Sequence, residues 1–387
     1  PELAPGGYRE TARRVDHGRL AARSNPLEIV PAEAGLDRIY WGEIHAHTEI
    51  SDGSGRFVEL FRHAREDGAL DFAAAADHAC YFSDNQWRRM QEVVNAWNDP
   101  PRFATLIGYE WAGRQVHRNV YTRGDTLRLF RGMYPPESTL DVVYDRFHGR
   151  EDVVAGPHAP IAHGIRFEHH DETVERFVEI YSMWGASDTR DNPLTPQWAL
   201  EKPTAQSVNE LLATGAKLGF TGGGDCHEGH AGFSCEAPGR QGHTPHTFAP
   251  RLAYRCGLTA AVIPALDRTH LVKALRTRRT YATSGARILL DFRVGELPMG
   301  DSGPVDKARC QAAVHGESEL SRLEIVRNGE VVHTEECDAP LDATLDWTDP
   351  TPPPKPHYYY LHVVQKDGAQ AWSSPVWVEA GQPVKDC

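Results

Sequence analysis

Six times between positions 39 and 227, a short apolar run carries a histidine or a carboxylate at or near its C-terminal end. The runs are IYWGEIHAH (39–47), LDFAAAADH (70–78), RFATLIGYEW (102–111), DVVAGPHA (152–159), RFVEIYSMW (176–184) and AKLGFTGGGD (216–225), the last continuing into Cys226 and His227. Each has the length and composition of a strand, and VHRNVYT (116–122) reads as another. Amphipathic stretches separate several of them. GRFVELFRHAREDG (55–68) puts Phe57, Leu60, Phe61 and Ala64 on one helical face, and SDNQWRRMQEVVNAWN (83–98) and AQSVNELLATG (205–215) also read as helical. Strands alternating with helices predict βα units and a mainly parallel sheet. In such folds ligands bind at the C-terminal ends of the strands. A purely structural chain has no reason to put imidazoles and acids there repeatedly.

The texture changes after DRTHLVKALRTRRTYATSG (267–285), a helix and a glycine-terminated turn. ILLDFRV (288–294), RLEIVRNGEVVH (322–333), HYYYLHVVQKDGAQAW (357–372) and PVWVE (375–379) are strand-like, with RNGE and KDGA as hairpin turns. The sequence thus divides into an N-terminal arm (1–37), an α/β domain (38–285) that carries the polar strand ends, and a small all-β, sandwich-like domain (286–387). TPPPKP (351–356) is a rigid loop within the last.

Composition narrows the classes. A chain of 387 residues with 40% hydrophobic content can bury a substantial core. Lys and Arg total 41 against 54 Asp and Glu, a formal charge of −13, which argues against a nucleic-acid partner held by phosphate neutralisation. No apolar run approaches the roughly 20 residues of a bilayer span, so no membrane partner is expected. The first residues, PELAPGGYRETARR, lack the charged-then-apolar pattern of a secretory signal, and a cytoplasmic location is the expectation. The 7 cysteines are odd in number and form no CxxC pair, so free or buried thiols are expected rather than a disulfide framework or a zinc ribbon.

Taken singly, the polar strand ends have ordinary explanations. His45 and His47 share one strand face and can grip one ion, or can simply face solvent. Asp77 can cap a helix beside an incidental His78. Glu110 in GYEW and His158 in GPHAP can be strand-end and turn residues. Glu179 lies inside an apolar run, where an unpaired carboxylate is costly. Asp225 and His227 follow three glycines that allow close backbone approach. Together with Asp52, these give nine residues of metal-ligand type, His45, His47, Asp52, His78, Glu110, His158, Glu179, Asp225 and His227, in one half of the chain. Mixed nitrogen and oxygen ligation suits Zn, Mn or Fe.

The ordered set HAH…DG, ADH, GYE, PH, VEI and GDCH resembles the PHP (polymerase and histidinol phosphatase) superfamily. The longer phrases IGYEW, VHRNVY, VEIYSMWG and RRTYATSG resemble one branch of it, PHP-like proteins of undefined function with a C-terminal β domain. The resemblance covers roughly residues 39–379. It implies a distorted (β/α)7-type barrel with a di- or trinuclear site at its C-terminal mouth. It further implies that His45, His47, Glu110 and Asp225 hold one ion, that Glu110 bridges to a second shared with His158 and Glu179, and that Asp52, His78 and His227 hold a third. Asp52 stands where many members have His, and Glu179 where many have His or Cys.

Two or three divalent cations (Mn, Zn or Fe) acidify water and clamp an anionic transition state. The expected activity is phosphoester hydrolysis of a small anionic substrate by a metal-bridging hydroxide, with Asp77 orienting a ligand histidine from behind. His117 and His163 are candidate proton donors or substrate contacts. Arg118 and Arg166 are candidate substrate contacts, weighed against ordinary salt bridges. His169, His170 and Asp171 read as a solvated helix start, and His243 and His246 as part of a lid or an exposed loop. Cys226 alternates away from the ligands. The competing functions are hydrolysis of an amide or a sulfate ester at the same centre, and binding without catalysis. The β domain has three candidate roles: polymer recognition, a wall of the site, or homo-oligomerisation.

Overall fold

The computed structural model describes residues 37–379, apart from 114–115, 134, 165–169, 203–204, 233–255, 339–340, 353 and 355. Strands β1 (Arg38–Glu43), β2 (Phe72–Ala74) and β3 (Ala104–Gly113) are parallel neighbours, connected through helices α1 (Phe57–Glu66) and α2 (Asp84–Trp97). Helix α1 buries Phe57, Leu60, Phe61 and Ala64, the face marked by the apolar spacing. Helix α2 starts at Ser83, whose side chain and that of Gln86 form a reciprocal capping box.

After β3 the chain reverses. β4 (Val116–Thr122) and β5 (Val153–Pro157) extend the sheet antiparallel, with Glu110 opposite Asn119 and Arg118 opposite Pro157. Helix α3 (Leu140–Phe147) lies between them in sequence and α4 (Pro160–His163) follows β5. A second sheet holds β6 (Phe177–Ser182) between β7 (Gly185–Ala186) and β8 (Gly219–Gly222), with α5 (Gln197–Leu200) and α6 (Val208–Leu212) before β8. β9 (Leu258–Ile263) runs antiparallel to β1, and α7 (Arg268–Thr277) leads to β10 (Thr280–Thr283), antiparallel to β9. The sheet is therefore mixed, where strand–helix alternation predicted a mainly parallel one. The reason is local: β3 and β4 are joined too closely for a crossover helix, and only an antiparallel pair can close that way.

Between residues 284 and 379 the described residues contain strands and no helix. Leu289–Val294, Arg309–His315 and Asp342–Thr348 form an antiparallel sheet with Leu297–Pro298. His357–Gln365 pairs with Leu320–Arg327 and with Gln370–Ser373. Gln370–Ser373 also pairs with β10, Tyr281 opposite Ser373, so one thirteen-stranded sheet runs across the expected boundary at 285/286. Of the expected arm, only Asp37 is described, and its carboxylate meets Arg279 at 3.0 Å. No helix among the described residues is long and apolar enough to cross a membrane. Cys80, Cys226, Cys256, Cys310 and Cys337 are free thiols, while Cys235 and Cys387 lie outside the described residues.

Candidate metal centre

Isolated parallel bridges form just beyond the strand ends and bring the polar residues together. Ala46 bridges Cys226, His78 bridges Glu110, and His158 bridges Glu179. His45 and His47 flank Ala46 while Asp225 and His227 flank Cys226, and the bridge sets the two pairs side by side, with His47 Nε2 3.0 Å from Asp225 Oδ1. Tyr121 supports this register from below by donating its hydroxyl to Ile44 O at 2.5 Å.

All nine expected ligands meet there. His47 Nε2 lies 3.1 Å from Glu110 Oε2 and 3.0 Å from Asp225 Oδ1. His45 Nε2 is 3.4 Å from Asp225 Oδ1, and its Nδ1 is 3.0 Å from Glu179 Oε2. His158 Nε2 is 2.7 Å from Glu110 Oε1, and His78 Nδ1 is 3.2 Å from Glu110 Oε2. Asp52 is reached by His47 at 3.4 Å and by His78 and His227 at 3.5 Å each. The grouping differs in two respects from that implied by the family resemblance. Glu179 stands with His45 and His158, and Asp52 with His47 and His227.

The glycine run before Asp225 makes room for these acids. A Cβ at Gly223 would fall 2.0 Å from Glu179 Oε2, and one at Gly224 would fall 2.2 Å from Glu43 Oε2. Glu43 is a buried carboxylate that the sequence patterns did not flag. It accepts from the backbone N–H of His45 at 2.7 Å and from the Cys256 thiol at 2.7 Å. Cys226 is buried on the side away from the ligands, beside Cys256.

Two histidines expected to act as proton donors or substrate contacts stand within ligand distance themselves. His117 groups with His78 and Glu110, and His163 groups with His158 and Asp225. Their rings stack on each other with centroids 5.2 Å apart. Asp77 stands behind His47, through an intermediary. Its carboxylate accepts from Thr48 N (2.7 Å), Thr48 Oγ1 (2.8 Å) and Ser51 Oγ (2.6 Å), and Ser51 in turn meets His47 Nδ1 at 3.2 Å. Asp77 thus holds the 48–51 loop and reaches His47 through Ser51. The alternation of HAHTEIS marked the ligands but gave no sign of this relay.

Arg118 does not reach substrate space. It is fully buried and pairs with Glu175 and Tyr144, so the structure replaces the expected substrate contact with an internal ion pair. His170 meets the same Glu175 at 2.6 Å, in a turn rather than a helix start. Arg166, His169, His243 and His246 lie outside the described residues. Trp184, absent from the expected set, donates its indole N–H to Asp225 Oδ2 at 2.5 Å.

The electrostatics follow from crowding opposite charges in a buried space. Burial opposes ionisation of Glu110, but the imidazoles of His78, His117 and His158 outweigh it and hold Glu110 well below the usual carboxylate range. Asp225 is depressed in the same way, chiefly by His45 and His47 against burial. Burial likewise opposes charge on His45 and His47, yet Asp225 with Glu179 and Glu110 raises both well above ordinary histidine. Burial prevails at His158 and His163, which are lowered. His45 Nε2, Asp52 Oδ1, His78 Nδ1, His117 Nδ1, His158 Nδ1 and His163 Nε2 are buried without a well-aligned hydrogen bond, and all but the last face an oppositely charged group of the cluster within 4 Å. Buried imidazole and carboxylate atoms that converge within 4.8 Å in each group without satisfying one another's hydrogen-bond geometry fit divalent cations.

A family model described as "Protein of unknown function (DUF3604)" matches residues 53–141. An uncharacterized protein of Chlamydia pneumoniae is 30% identical over 403 residues, covering 97% of this chain and 62% of the relative. Uncharacterized proteins of Chlamydia muridarum and Chlamydia trachomatis are 25% and 26% identical, each match covering 88% of this chain and 57% of the relative. The chain thus spans 57% to 62% of the length of these curated relatives. Among solved structures, a Bacteroides vulgatus two-domain protein described as containing a "predicted PHP-like metal-dependent phosphoesterase" aligns over 93% of this chain and 100% of its own. The identity is 12% and the TM-score 0.43. Fibronectin(III)-like modules of Clostridium thermocellum CbhA align over 24% of this chain and 98% of their own, at 15% identity and a TM-score of 0.17.

Proposed function

We propose that this chain is a metal-dependent hydrolase acting on phosphoesters, with two or three divalent cations (Mn, Zn or Fe) at the C-terminal mouth of a distorted PHP-like (β/α)7-type barrel. One observation carries the reading: four buried or half-buried carboxylates and seven imidazoles converge from six chain segments, with several ring nitrogens left without a well-aligned hydrogen bond. Such cations supply an acidified water and a positive field for the charge that develops on phosphoryl oxygens. Glu110 and Asp225, each beside several imidazoles, would bridge neighbouring cations. Asp77, through Thr48 and Ser51, keeps His47 turned toward the centre. The local cation charge also answers the chain's formal −13, so an anionic substrate can approach an acidic protein.

The test is metal analysis of the purified protein with a screen of p-nitrophenyl phosphate, bis-p-nitrophenyl phosphate, a sulfate ester and an amide in Mn, Zn and Fe. Turnover of a phosphate ester that chelation abolishes and metal restores is the expected result. Turnover of the sulfate ester or amide alone moves the reading to that bond. A protein that binds no metal overturns it.

A further inference from the structure

A line of aromatic rings leads from the candidate centre to the surface. His163 packs edge-on against Trp184 with centroids 5.1 Å apart, and Trp184 packs against Trp198 at 6.1 Å. Trp184 is fixed at its inner end by the 2.5 Å hydrogen bond to Asp225 Oδ2. At the outer end, Trp198 is 39% exposed, among the few large hydrophobic side chains left open to solvent among the described residues. The wall is firmly backed: Trp184 packs on a small buried cluster that includes Ile161 and Ala199, joining the segments of α4 and α5. Lys202 stands at its rim. Its ammonium lies 4.3 Å over the Trp198 ring and donates to Ala162 O at 2.7 Å, next to His163.

We infer that Trp184 and Trp198 form the ring-binding wall of the substrate site, and that the phosphoester accepted there has a ring-shaped leaving group. The inference rests on the hydrolase reading for the identity of the phosphoester, but the wall itself is read from the ring geometry. Trp184, against His163 and hydrogen-bonded to Asp225, stands beside the place that a leaving group on a phosphoryl centre near His158, His163 and Asp225 would occupy. A flat ring stacks there on an indole face already held in place, so little ordering is needed on binding. A short alkyl group gains no such contact. Lys202 adds a positive charge where a ring substituent of negative charge would sit.

The experiment compares phenylphosphonate with methylphosphonate on the full metal-loaded chain, read by quenching of tryptophan fluorescence, beside the kcat/KM ratio of phenyl phosphate to methyl phosphate. Wild type is expected to bind phenylphosphonate about tenfold more tightly than methylphosphonate, within the range of ring stacking on an aromatic side chain. Trp198→Ala is expected to erase that preference, phenylphosphonate affinity falling about tenfold to the level of methylphosphonate. Trp198→Leu, which keeps apolar bulk without a flat face, provides the same reading if the alanine variant does not fold. A preference that persists in the folded variant, or that wild type lacks, overturns the inference. Phosphonate selectivity without turnover of either ester leaves the wall standing and removes the hydrolase reading. Turnover with no loss of selectivity in the variant does the reverse.

Discussion

Ala46 and Cys226 pair through a single parallel backbone bridge, and that bridge sets four candidate ligands at once. His47 N donates to Cys226 O at 2.8 Å and Asp225 N donates to His45 O at 2.6 Å. Asp225 adopts φ +48°, a left-handed conformation that Asp and Asn tolerate better than other non-glycine residues. Asp225→Asn therefore keeps both backbone and volume while removing the charge. The variant should fold with a wild-type circular dichroism spectrum and lose metal affinity and turnover by on the order of 100-fold or more, at least the upper end of outer-sphere losses. Metal content after dialysis and initial rates check it; full activity would remove Asp225 from the ligand set.

Metal binding should release protons. In the metal-free protein His45 and His47 are raised well above ordinary histidine, because their carboxylate neighbours outweigh burial. A cation needs the neutral imidazole, so it must displace those protons. About two protons per chain should leave near pH 7, and affinity should rise with pH. Calorimetric titration in buffers of different ionisation enthalpy measures the number. A count of zero would mean that both rings are already neutral.

The candidate ligand set was legible because metal chemistry restricts residue type: HAH and DCH each carry two residues of ligand type two positions apart, and the structure brings both pairs together. The supporting residues were not legible for a physical reason. Ser51, Glu43 and Trp184 each depend on a contact 26 to 213 positions away in sequence, beside any local one, and nothing in the sequence alone distinguishes them from ordinary loop and strand residues. Arg118 misled for the complementary reason. Alternation along β4 puts it on the face opposite His117, and only the position of Glu175 shows that this face is closed. The parallel-sheet expectation failed at β3–β4 because two apolar runs a few residues apart carry no mark of pairing direction.

Gly223→Ala tests the glycine run as a spacing device. The new Cβ would collide with Glu179 Oε2 and stand 2.9 Å from His45 Cβ, so Glu179 must leave His45. Overpacking of this kind costs about 1–3 kcal/mol. The thermal midpoint should fall accordingly, and metal stoichiometry should drop with it. A variant with unchanged midpoint and metal content would show that Glu179 has room to move.

Glu43 gives the metal-stripped protein a pH-dependent stability of defined sign. Burial raises its carboxyl to about 7, against the lowering effect of the Cys256 thiol and the N–H groups of Gly224 and His45. A carboxyl whose folded pKa exceeds its unfolded value is held most favourably while protonated. Its contribution is complete below about pH 4.5 and is lost as pH rises through about 7. The difference is on the order of 3 kcal/mol. Glu43→Gln, neutral at every pH, should flatten the thermal midpoint between pH 5 and 8 relative to wild type. Parallel curves for the two proteins would exclude Glu43 as the source.

Arg118→Met separates a structural ion pair from a substrate contact. The guanidinium is buried with Glu175, whose other partners are Tyr144 Oη at 2.9 Å and His170 Nδ1 at 2.6 Å. Removing one member of a buried pair leaves the other charge uncompensated and costs about 3–5 kcal/mol. Stability to urea should fall by that amount, while the KM of the folded fraction stays at the wild-type value. Adding Glu175→Gln should recover part of the loss, because the stranded charge goes with it. A tenfold rise in KM with unchanged stability would instead return Arg118 to the substrate site.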